Sequence, residues 1–89
     1  MMNMNFVEVR VNLNEEDNAN RMFQMVKVVS KGMRGFVLIE DRNYVGVVIA
    51  PDESIETASN LAYEFRKTFF LNDVSLVATL KDHRQVRIM

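Results

Sequence analysis

Along residues 6–88 the spacing of apolar side chains changes period in a fixed order, and that order limits the fold more than any other feature of the chain. Over Phe6–Leu13, Val7, Val9, Val11 and Leu13 alternate with Phe6, Glu8, Arg10 and Asn12. Successive side chains of a strand leave opposite faces, so a strict period of two predicts a strand with one face buried. Ala19, Met22, Phe23, Val26 and Val29 then recur every three or four residues, the spacing of one apolar helix face. Asn14 is the expected N-cap of that helix, with Glu15, Glu16 and Asp17 in its first turn complementing the positive end of the dipole. Lys27 and Lys31 suit its other end, and Gly32 its closing turn.

A second set of elements follows in the same way. Phe36–Ile39 is a continuous apolar run, Glu40-Asp41-Arg42-Asn43 is polar, and Val45–Ala50 is apolar again, which predicts a hairpin. Pro51-Asp52-Glu53-Ser54 ends its second strand, and either Asp52 or Ser54 caps the next helix. Ile55, Ala58, Leu61, Ala62, Phe65 and Phe69 form the stripe of that helix, and Phe69-Phe70-Leu71 are expected to tuck over the sheet edge. After the turn signal Asn72-Asp73, Val74, Leu76, Ala78 and Leu80 alternate with Ser75, Val77 and Thr79. Lys81–Arg84 reads as a polar turn, and Val86 and Ile88 as a short last strand folding back. Met1, Met2 and Met4 are assigned no structural role.

The order β-α-β-β-α-β with a C-terminal extra strand has few compact solutions. The commonest is a ferredoxin-like α+β sandwich: two helices on one face of an open antiparallel sheet in the order 4-1-3-2. The 89 residues suffice for one such domain. Strand parity collects Val7, Val9, Val11, Val37, Ile39, Val45, Val47, Ile49, Leu76, Ala78 and Leu80 on the face that helices should cover. Phe6, Glu8, Arg10, Phe36, Leu38, Tyr44, Val48, Ser75, Val77 and Thr79 fall on the other. A sheet face meant only for water is more polar than this, and a contiguous apolar patch often marks a binding surface. Phe6, Glu8, Arg10, Phe36, Leu38, Tyr44, Val48, Val77 and Thr79 are therefore the candidate partner-binding residues. The expected occupant is a protein partner or a second copy, with Glu8 and Arg10 suited by type to reciprocal pairing across a two-fold axis. The competing structural reading is that Phe36 and Leu38 merely pack under loops.

The catalytic inventory is thin. With no Cys, thiolate nucleophiles, disulfides and Cys metal sites are excluded. The single His, His83, lies in the Lys81–Arg84 turn. Carboxylates cluster at Glu15-Glu16-Asp17, Glu40-Asp41 and Asp52-Glu53, where capping and solvation explain them. The glycines at 32, 35 and 46 do not make a phosphate loop. We expect no catalytic residue, no metal site, no cofactor and no enzymatic activity. Eleven Lys and Arg against 12 Asp and Glu give a net charge of −1, which argues against nucleic acid as the partner. No apolar run approaches the ~18 residues of a spanning helix, and the start of the chain lacks a basic leader. A cytoplasmic, non-membrane protein is expected.

Arg34-Gly35-Phe36-Val37 resembles the Arg-Gly-Phe/Tyr segment of RNA-recognition-motif domains. That motif belongs on the third strand, whereas here it falls on the second, and Val9–Leu13 lacks the stacking aromatic. In outline the chain also resembles the HPr phosphocarrier family, by length and element order. That family phosphorylates a His at the start of its first helix; Asn14–Arg21 contains none, which excludes phosphotransfer. Neither resemblance assigns a family. A small-molecule-sensing domain, with Asn12, Asn14 and Asn18 as polar contacts after the first strand, is the alternative function, and an RNA binder the third.

Overall fold

The computed structural model describes residues 4–40 and 42–89, so Met1, Met2 and the Asp41 position of the hairpin tip lie outside the described residues. Its elements are β1 (Met4–Asn12), α1 (Ala19–Val29), β2 (Gly35–Glu40), β3 (Tyr44–Ile49), α2 (Ile55–Thr68), β4 (Val74–Leu80) and β5 (Gln85–Arg87). The sheet order is β2-β3-β1-β4-β5, antiparallel throughout. From β4 across to β2 this is the ferredoxin-like order 4-1-3-2, with β5 added outside β4. Helices α1 and α2 pack on one face of the sheet and leave the other open.

Register explains the layering. Val7, Val9 and Val11 stand opposite Ile49, Val47 and Val45, and Val9 also stands opposite Leu76. Directly opposed residues share a sheet face, so one row of β-branched side chains runs across three strands. Val9, Val11, Val45, Val47 and Leu76 join Met22 and Val26 of α1 and Ala58, Leu61, Ala62 and Phe65 of α2 in one buried core, with Val7, Val37 and Ile39 at its margin. Phe65 and Phe69 meet edge to face at 5.7 Å.

Four expectations change. β1 begins at Met4, which therefore has a structural role opposite Leu80. The N-cap of α1 lies four residues later than the Asn14 reading placed it. Asn18 is the N-cap, its side chain accepting from the Arg21 N–H at 3.0 Å, and no acidic residue occupies the first turn. Asn14 is instead drawn across the molecule: its Nδ2 donates to the Leu71 carbonyl at 3.1 Å, and its N–H donates to Asp17 Oδ2 at 2.7 Å. Asn72 Nδ2 donates to the same Asp17 oxygen at 2.8 Å and to the Asn12 carbonyl at 2.8 Å. Residues 14–17 thus form a turn braced on the α2–β4 loop. Of Phe69-Phe70-Leu71 only Phe69, the C-cap of α2, tucks in; Phe70 and Leu71 lie in the turn beyond the helix and are each 77% exposed.

Other signals fall where the residues placed them. Ser54 caps α2, accepting from the Thr57 N–H at 3.1 Å, while Asp52 turns away to pair with Arg34. Gly32 adopts φ +95° just past the α1 C-cap Ser30. The β4–β5 turn closes with the His83 N–H on the Leu80 carbonyl at 3.0 Å, His83 itself being exposed. No helix among the described residues is long and apolar enough to cross a membrane.

Candidate functional site

The open face is organised around a missing side chain. Gly46, on β3, stands opposite Arg10 of β1 and Leu38 of β2. A Cβ at Gly46 would collide with Glu8 Oε2, because the Glu8 side chain folds into the space that a larger residue would fill. There Glu8 is only 3% exposed. Its carboxylate accepts from Arg10 Nε at 2.5 Å, and the Arg10 guanidinium lies 4.3 Å above the centre of the Tyr44 ring. A buried carboxylate without a partner would be costly; here hydrogen bonding and the adjacent cation satisfy it. Glu8 and Arg10 therefore pair with one another inside the chain rather than waiting for a second copy. Burial raises the Tyr44 phenol above its ordinary pKa, the Glu8 charge adds to the rise, and Arg10 offsets part of it.

This polar cluster forms one end of a groove of about 700 Å³ whose lining is mostly apolar. Phe6, Phe36, Leu38, Tyr44 and Val48 line it, together with Glu8 and Arg10, and Ala50, Pro51 and Gln85 close its rim. Phe36 is 61% exposed; Leu38 and Val48 are half-buried. Seven of the nine candidate residues are thus brought together. Val77 and Thr79 are not among the lining residues: both are buried on β4, Val77 standing between Glu8 of β1 and Arg87 of β5. Gly46 was not a candidate from its type, although an isolated Gly inside a strand pattern is a signal of close approach. Gln85 was not a candidate either: Val86 and Ile88 predicted the last strand, but Gln85 reaches the open face only because it pairs with Thr79 of β4.

The loop after β1 makes a second, polar hollow of about 940 Å³ beside Glu15, Asn20 and Arg42. The three asparagines expected to contact a ligand there are committed within the chain. Asn12 Nδ2 donates to the Asp73 carbonyl at 3.0 Å, Asn14 is held by Leu71 and Asn18 caps α1. Near the β2 start, Arg34 pairs with Asp52 and with Glu53 Oε1 at 3.1 Å. That pairing holds the Asp52 carboxyl below, and the Arg34 guanidinium above, their ordinary values. Among the described residues no group of three His, Cys, Asp or Glu is placed to hold a metal ion. No protein-family model, no curated protein and no solved structure matches this chain.

Proposed function

We propose that this chain is a small, non-enzymatic interaction module that associates with itself or with a protein partner through the uncovered face of its sheet. The observation that carries the reading is Phe36. It is an aromatic side chain held 61% exposed on a strand, next to half-buried Leu38 and Val48 on the same groove. Antiparallel sheets commonly solvate one face with polar residues; this one puts apolar side chains there. Its charged pair is already neutralised by the Glu8–Arg10 contact, so docking against it requires little further desolvation. Aromatic residues ringed by polar groups are frequent anchors of protein interfaces. A reducing, cytoplasmic setting is part of the same proposal and fits a chain without Cys.

Sedimentation velocity at tens of micromolar tests the self-association half. The parent chain is expected to sediment above the monomer, and Leu38→Glu to return it to monomer with helical circular dichroism intact. A parent chain that is cleanly monomeric removes self-association, leaving a foreign protein as the only occupant under this reading.

A small-molecule ligand in the same groove is the second reading. The groove volume of about 700 Å³ favours it, lying within the roughly 300–1,000 Å³ of ligand sites. A thermal-shift screen with metabolites separates the two. A ligand at 100 times its dissociation constant adds about 2.7 kcal/mol of stability. No shift across the panel would count against this reading.

A further inference from the structure

The sheet ends in two unlike edges. β5 is three exposed residues long, and Arg87 at its end is bound to both carboxylate oxygens of Asp73, at 3.2 and 3.1 Å. A short, charged edge of this kind resists pairing with another chain. β2 is six residues long, Gly35-Phe36-Val37-Leu38-Ile39-Glu40, and pairs with β3 without a register shift. It has no Pro, no Lys and no bulge, and its one charge, Glu40, stands at its end.

The phase of its free groups is fixed. The Arg34 carbonyl accepts from the Ala50 N–H at 2.9 Å. Along an antiparallel strand the bonding direction alternates. Phe36 and Leu38 therefore bond toward β3, and the N–H and C=O groups of Gly35, Val37 and Ile39 point outward. We infer that β2 pairs antiparallel with β2 of a second copy of this chain, about a two-fold axis at Val37. The inference rests on the self-association half of the reading above, but moves the contact from the face of the sheet to its β2 edge and leaves both open faces uncovered.

Two observations select that register. Centred on Val37, Val37 bonds Val37 of the second copy and Gly35 bonds Ile39, so every outward group of β2 finds a partner. Moving the axis by one residue, to Phe36 or Leu38, leaves the outward groups of Ile39 or Gly35 without a partner on the other β2. The same register sets Arg34 against Glu40 at both ends of the open-face row, with Phe36 against Leu38 between them. Such a row is self-complementary in charge as well as in apolar surface, as a closed two-fold contact requires. Arg34 has donors to spare: its pairing with Asp52 and Glu53 engages Nε and one atom of the Nη pair, and a guanidinium carries five N–H groups. In the dimer the open faces run on across the axis, and the two grooves adjoin at Phe36.

Single-cysteine variants test the register, since the chain has no Cys of its own. Two Val37 positions become a hydrogen-bonded pair with Cα atoms about 5.5 Å apart, inside the roughly 4.4–6.8 Å that a disulfide spans. The two Leu38 positions are offset along the strands, about 8 Å apart by strand rise and spacing, which is too far. In a glutathione buffer Val37→Cys is expected to give a covalent dimer on a non-reducing gel, and Leu38→Cys to stay monomeric. Cross-linking of Leu38→Cys overturns the edge pairing. If Val37→Cys fails to link at the same time, the two sheets associate face to face, and the proposed function stands without this inference. Linkage of neither variant, with the parent chain monomeric in sedimentation, overturns the second copy altogether.

Charge exchange covers the case in which a cysteine variant folds poorly. Arg34→Glu alone and Glu40→Arg alone each set like charges face to face at both ends, and each is expected to weaken the dimer about tenfold. Mixing the two variants restores opposite charges at both ends and should restore parent-like association. A mixture no tighter than either variant alone overturns the proposal, because damage within one chain would not be repaired by mixing.

Discussion

At the scale of single residues, the open face depends on an exchange between Gly46 and Glu8. The glycine removes a side chain, the carboxylate fills the space, and Arg10 and Tyr44 close over it. Gly46→Ala forces Glu8 out of a place where it is 3% exposed. Overpacking of this kind costs about 1–2 kcal/mol, here measured as a lower urea midpoint with unchanged slope. In a Glu8→Ala background the same change meets no carboxylate. It should then stabilise by roughly 0.5–1 kcal/mol, since Ala is better than Gly inside a strand. A change of sign between the two backgrounds identifies the contact; equal costs would mean that backbone, not Glu8, limits the site. Tyr44 reports on the same cluster. Its phenol is raised above the ordinary value by burial and then by Glu8. The neutral form is thus favoured in the folded state, and the resulting stability is complete below the unfolded value of about 10. It is lost as pH rises through the higher folded value. Absorbance titration of the two tyrosines should show a step above pH 10 that Tyr44→Phe abolishes, along with part of the alkaline loss of stability.

At the scale of elements, period identified every strand and helix, but not every boundary. The segment Asn14-Glu15-Glu16-Asp17-Asn18 contains three residues about equally able to cap a helix, Asn14, Asp17 and Asn18. Local chemistry does not choose between them. The choice is made by Leu71 and Asn72, nearly 60 positions away, which take the Asn14 amide and the Asp17 carboxylate into the α2–β4 loop and leave Asn18 for the helix. Pairing distant in sequence is invisible to a pattern read along one segment. Phe70 and Leu71 differ from Phe69 for a related reason: all three are apolar, but α2 ends with Phe69 as its C-cap at 4% exposure, and the two at 77% fall in the turn beyond it. Asn18→Ala should therefore destabilise by about 1 kcal/mol in denaturant unfolding, and Asn18→Asp should retain most of that stability by still accepting from the Arg21 N–H. If Asn18→Ala is neutral, the turn at 14–17 rather than the cap fixes where α1 starts.

At the scale of the whole molecule, the proposed function rests on strand parity, because helices cover one face of the sheet and leave the other open. The alternation of Val7, Val9 and Val11 with Phe6, Glu8 and Arg10 makes the division legible in the sequence: the first set lies in or against the core, the second on the groove. What could not be read was how much of the open face stays open, since Val77 and Thr79 are buried there by neighbours whose pairing depends on β5. The two faces predict opposite responses to the same kind of charge. Val9 is fully buried between Val47 and Leu76, so Val9→Asp places a carboxylate among aliphatic side chains. A chain of this size is held by roughly 4–13 kcal/mol at ordinary per-residue stability. A buried, unpaired charge removes about 4 kcal/mol or more of that, and Val9→Asp should lose its cooperative unfolding transition. Leu38→Glu puts the same charge on the groove, where water reaches it, and should lower the unfolding free energy by less than about 1 kcal/mol while abolishing association. Denaturant curves and sedimentation on both variants give four readings. Equal destabilisation by the two would mean that Leu38 faces the helices, and the division of labour between the faces would fail with it.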